Sequence, residues 1–152
     1  MKVHQFINGR AHVGSGTTFF SSVNPATNVV LADIQQATQE DVNSAVANCR
    51  EGFLVWSRMS AKERSAILRK AASILRERNE ELALLEVLDT GKPICEAIAV
   101  DILSGAEVID YYAGLVVALQ GEQQPLSDDQ FFYTRREPLG VCAGKGAHLS
   151  HP

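Results

Sequence analysis

At 152 residues the chain is long enough for one ordinary domain with a core of its own. Its hydrophobic content of 45% and charged content of 21% are those of a soluble globular protein, and a net charge of −4 argues against a nucleic-acid or anionic-membrane surface. No apolar run approaches the roughly 20 residues of a membrane-spanning helix, and MKVHQFINGR lacks the apolar stretch of a secretory leader, so a cytoplasmic location is expected.

The chain opens with strands and turns. Phe6 and Ile7 lead into Asn8-Gly9, the strongest short hairpin signal. Residues 17–23 form a second β-rich run, closed by the turn chemistry of Asn24-Pro25-Ala26-Thr27-Asn28, and residues 29–34 alternate as a third strand. Helices then dominate to about Leu119. Thr38 and Asp41 make a capping box, behind which Val42, Ala45, Val46, Cys49, Phe53 and Trp56 form an apolar stripe that places Cys49 on a buried face. Ser60 and Glu63 cap a second helix running to Arg78, with Ile67, Leu68, Ala71, Ile74 and Leu75 inward. Its basic residues are interleaved with glutamates and carry no aromatics, the pattern of a solvated face and not of a nucleic-acid surface. Asn79 is expected to cap a third helix with Leu82, Leu85 and Leu88 inward, stopped by Gly91 and Pro93. A fourth runs from Ile94 to about Leu119, roughly 38 Å at ~1.5 Å per residue. Gly105 and Gly114 inside it suggest close backbone packing. A polar loop at 126–130 precedes a strand at 133–137 and a compact apolar run at 139–143, where Cys142 reads as a small buried hydrophobe.

Cys49, Cys95 and Cys142 are an odd set without C-x-x-C or metal-ligand spacing and read as free thiols. His148 and His151 lack a third ligand and read as a tail. Internal repeats and low-complexity segments are absent.

Taken in order, NPAT, ERSAILRKAASILRERNEELALLEVLDTGKP, DILSGAEVIDYYAGL and YTRREPLGVCAG resemble the N-terminal region of the aldehyde dehydrogenase superfamily, most closely its betaine-aldehyde branch. The resemblance covers about residues 6–146. It implies an α+β fragment of an α/β fold: N-terminal strands, a four-helix region and the incomplete sheet of an NAD-binding domain. By the same resemblance, residues 1–126 hold the strands and helices, 127–138 an oligomerisation-type strand, and 139–152 the start of an interrupted Rossmann-like strand plus a divergent tail.

Family members oxidise aldehydes to carboxylates, in this branch betaine aldehyde to glycine betaine, through a cysteine nucleophile and NAD. None of the three cysteines matches the nucleophile's position, so no catalytic residue is assigned. Gly146 and Ala147 match cofactor-touching positions. His148 stands where tryptophan is usual and Leu149 where the family's oxyanion-stabilising asparagine stands, and leucine has no donor. A family potassium site maps to Ser22, Val23 and Asp89, an oxygen set suited to a hard cation. The other reading of Asp89 is a pair with Lys92 or a bond to nearby backbone. Two functional classes follow: an N-terminal enzyme fragment without catalysis of its own, or a non-catalytic interaction and oligomerisation module that self-associates through the C-terminal strands. Neither has nucleic acid or membrane as a partner, and a small aldehyde and NAD belong only to the full-length family.

Overall fold

Asn8 and Gly9 take φ of 56° and 71°, the left-handed pair of a tight hairpin turn. In the computed structural model, which describes residues 1–144, they join β2 (Gln5–Ile7) to β3 (Arg10–His12). A separate three-stranded sheet has the order β1-β5-β4. In it β1 (Lys2–Val3) runs parallel to β5 (Val30–Gln35), and β4 (Phe19–Val23) runs antiparallel to β5. The Asn24–Asn28 turn between β4 and β5 is tied by Asn24, whose Oδ1 accepts from Ala26 N at 2.9 Å and Thr27 N at 3.3 Å.

Both predicted capping boxes form. Thr38 heads α1 (Gln39–Trp56) and Ser60 heads α2 (Ala61–Glu77), and in each the side chains of cap and third residue bond reciprocally. Helix α3 (Asn79–Thr90) ends at Gly91, φ 74°, as its chemistry predicts. Its N-terminus differs from expectation: Arg78 occupies the cap position without a side-chain capping bond, its guanidinium instead donating to Glu81, and Asn79 lies inside the helix with its amide donating to Ile98 O at 3.0 Å.

The fourth helix is continuous but not uniform. It begins as α4 (Ile94–Glu96), passes through a π segment (Ala97–Asp101) and continues as α5 (Ile102–Leu115), ending short of Leu119. Gly105 meets no neighbour where a Cβ would stand, and Gly114 only the tip of Arg69 at 3.8 Å, so neither serves a close backbone approach. Alanines do that instead. Ala72 of α2, Ala83 of α3, Ala97 of the π segment, and Ala106 and Ala113 of α5 are fully buried, and α2 packs most extensively on α5. Arg76 and Asp110 tie these two helices at 2.6 Å.

Several expected inward residues face out. Cys49, Val42, Val46 and Trp56 of α1, Ile67 and Ile74 of α2, and Leu85 of α3 (57% exposed) are not covered by the described residues. Periodicity selects an apolar face, but a face is buried only where another element reaches it. Near the C-terminus the strand lies earlier than expected and shares only Tyr133 with residues 133–137: β7 (Phe131–Tyr133) pairs with β6 (Gln123–Pro125), and residues 134–144 are irregular. The 139–143 run has no strand partner among the described residues, and Cys142 is exposed there. The chain exposes 11884 Å², whereas a compact monomer of this mass exposes about 7,600 Å². Helices and small incomplete sheets, as the fold reading expected, leave much apolar surface open.

Candidate functional site

Of Ser22, Val23 and Asp89, the β4–β5 connection brings Ser22 and Asp89 into contact. The ladder slips between Ser22, opposite Ala32, and Val23, opposite Val30, so Leu31 is a bulged extra residue at the point where the chain enters the Asn24–Asn28 turn. That turn rests on the end of α3. A Cβ on Gly91 would stand 2.8 Å from Pro25 Cγ, so only glycine permits this approach as well as the left-handed φ. The contact brings Ser22 to Asp89, whose Oδ1 accepts from Ser22 Oγ at 2.8 Å.

Lys92 does not form the expected pair with Asp89. Its ammonium lies 2.7 Å from Asp101 and 3.3 Å from Glu86, and these carboxylates, Asp101 first, hold it above the usual lysine range. Asp89 therefore sits in the last turn of α3, where the helix dipole disfavours an anion by typically 0.3–1 kcal/mol, with the Ser22 hydroxyl as partner. A cavity of about 560 Å³ lies beside it between the sheet and α3, lined in part by Ala32, Ile34, Leu82 and Glu86. One carboxylate plus nearby backbone oxygens suits a hard cation in kind, though a full shell needs more donors than Ser22, Val23 and Asp89 supply. Among the described residues, no group of three or more His, Cys, Asp or Glu side chains could hold a metal ion.

A second polar constellation was only half legible. Asp41, predicted as a cap, is 4% exposed and also accepts from Ser15 N at 3.0 Å and Gln5 Nε2 at 3.1 Å. The Thr38 and Ser15 amides, followed by the Gln5 amide, hold its carboxyl far below the usual range. Gln35, 6% exposed, receives His4 Nδ1 at 2.9 Å and Gly14 N at 3.0 Å, and donates to Gly14 O and Gly16 O. Together they fasten the β2–β3 hairpin and the 14–16 loop to β5 and α1. The signal that could have found this is Gly14-Ser15-Gly16, a loop whose amides need partners.

The three thiols lie on separate elements, α1, α4 and the 134–144 segment, and all are exposed. Cys142 Sγ donates to a carbonyl, Gly140 O, at 3.8 Å. No helix among the described residues is long and apolar enough to cross a membrane. Gly146, Ala147, His148, Leu149 and His151 lie outside the described residues.

Comparison with known proteins supplies what the side chains leave open. The model of the aldehyde dehydrogenase family matches residues 12–144. Betaine aldehyde dehydrogenase of Vibrio vulnificus (strain CMCP6) is 57% identical over 142 residues, 93% of this chain and 29% of that protein. The NAD+ complex of an aldehyde dehydrogenase from Bacillus cereus matches with a TM-score of 0.86 at 39% identity, over 91% of this chain and 28% of that one. An indole-3-acetaldehyde dehydrogenase from P. syringae, solved with NAD+ and IAA, matches at 0.84 and 33% identity, over 89% and 28%. The chain spans less than a third of these relatives.

Proposed function

The chain belongs to the aldehyde dehydrogenase family, and from this we propose that it forms the N-terminal framework of an NAD-dependent betaine aldehyde dehydrogenase, without aldehyde oxidation of its own. The observation that carries the branch is the 57% identity to the Vibrio vulnificus protein. Against catalysis by this chain stand three exposed thiols on separate elements and Leu149 where the resemblance puts a donor asparagine. Gly146 and Ala147 would be its contribution to NAD contact, too little to bind the cofactor alone. Exposed free cysteines suit a reducing, cytoplasmic compartment. The test is an aldehyde-dependent NADH assay on the pure chain with betaine aldehyde. We expect no turnover above buffer; turnover abolished by replacing any one cysteine overturns the reading.

Potassium is part of the same proposal, held by Asp89 with the carbonyls of Ser22 and Val23. Potassium should then raise the melting temperature more than sodium at equal ionic strength, and Asp89→Ala should erase the difference. Equal responses leave Asp89 as the acceptor of the Ser22 hydroxyl only.

A second reading, self-association as an interaction module, is favoured by the β6–β7 ribbon. Its residues are exposed on both strands, Tyr133 at 71%, and an open edge offers unpaired backbone to a second copy. Light scattering across a concentration series, with Phe132→Lys as the disrupting control, tests it. A strictly monomeric chain ends that reading.

A further inference from the structure

We propose that Asn79 is the positioning residue that holds the π segment at Ala97–Asp101 and, through it, sets the register of α5 against α2. A π turn accommodates one residue more than an α turn and persists only where its displaced backbone groups find partners. Asn79 supplies one, donating Nδ2 to Ile98 O at 3.0 Å across 19 residues of sequence. The side chain does so although it stands at the head of α3, where an asparagine one position earlier would cap the helix and where Arg78 gives no side-chain capping bond. Its Oδ1 is buried without a partner among the described residues. Turning the amide over would set that oxygen against the Ile98 carbonyl oxygen, so the Ile98 bond dictates the orientation.

The extra residue matters beyond the turn. At 3.6 residues per turn, one residue rotates everything after it by about 100°. With the π segment in place, Asp101 meets Lys92 at 2.7 Å, and Ala106 and Ala113, seven residues apart, both fall on the buried face of α5. Because the surplus residue is stored in the π segment, removing one residue there converts it to α-helix and leaves α5 facing as before. Removing one from within α5 turns Ala113 out of the interface.

Hydrogen exchange read by mass spectrometry tests this on four variants of the full chain: Asn79→Leu, deletion of Val100, both together, and deletion of Val108. Asn79→Leu should lower protection over residues 97–102 by roughly two- to tenfold, the value of one hydrogen bond. Deletion of Val100 should keep the far half of α5 protected, and deletion of Val108 should not. Adding Asn79→Leu to the Val100 deletion should change nothing further, since the turn it holds is gone. Should Asn79→Leu fail to fold alone, the Val100 deletion must restore folding to it. Wild-type exchange in Asn79→Leu, equal damage from the two deletions, or an Asn79→Leu effect undiminished in the Val100 deletion overturns the proposal.

Discussion

Helices α1 and α2 begin alike and end differently. Each opens on a reciprocal capping box, and each carries an apolar stripe. Helix α2 buries Ser65 and Ala72 and packs extensively on α5, whereas α1 buries only Asp41, in its first turn, and packs extensively on none of the other described elements. Thus α1 is held at one end by polar bonds and α2 along its length by packing. Equal local signals do not produce equal tertiary attachment.

The sharpest way to break the comparison is to crowd the packed helix. Ala72→Leu puts three extra carbons into a fully closed site and should lower stability by about 1–3 kcal/mol in urea unfolding. A neutral result would mean that the α2–α5 contact is loose. Next come the caps. Ser60→Ala and Thr38→Ala each remove about 1 kcal/mol of helix stability, but the first should lower the global unfolding midpoint, and the second should mainly raise exchange in the first turns of α1. Identical global shifts would erase the distinction.

Acid separates the polar attachment from the packed one. Asp41 has a depressed folded-state pKa, so its contribution is present above its unfolded value of about 3.9 and is lost as pH falls toward the folded value. The urea midpoints of wild type and Asp41→Asn should stay apart at neutral pH and converge below about pH 4, measured by titrated unfolding. The Ser60 side chain and amide depress Glu63 in the same direction, so wild type also weakens there through α2. The smallest effect is expected on the open stripe of α1: Val46→Ser should shift stability by no more than about 0.5 kcal/mol. A larger loss by the same unfolding assay would show that this face is covered in solution.

What was legible was chemistry carried by a few adjacent residues: the Asn8-Gly9 turn, the Asn24–Asn28 turn, two capping boxes and the Gly91 stop. What was not legible needed a distant partner. Cys49, Ile67 and Leu85 lie on well-patterned faces, but patterning does not name the element that would cover them. The 139–143 run is apolar enough for a strand and has no neighbour to bond among the described residues. The π segment leaves its apolar residues in a pattern one register off, which a 3.6-residue stripe tolerates over so short a span. The Ser22–Asp89 contact was reached through family resemblance. No local pattern joins residues 67 positions apart, and it depends on Pro25 resting on Gly91.

That the buried apolar side chains are alanines has a calorimetric consequence. Among the described residues no large side chain is fully buried, and a methyl group withdraws little apolar area from water. Heat-capacity change on unfolding scales with that area. From the excess exposed surface, the increment for the isolated chain should be roughly three quarters of the usual 12–15 cal/mol/K per residue. Its free energy would then curve less with temperature than that of a fully enclosed protein of equal length, with cold and heat unfolding set further apart for the same maximum stability.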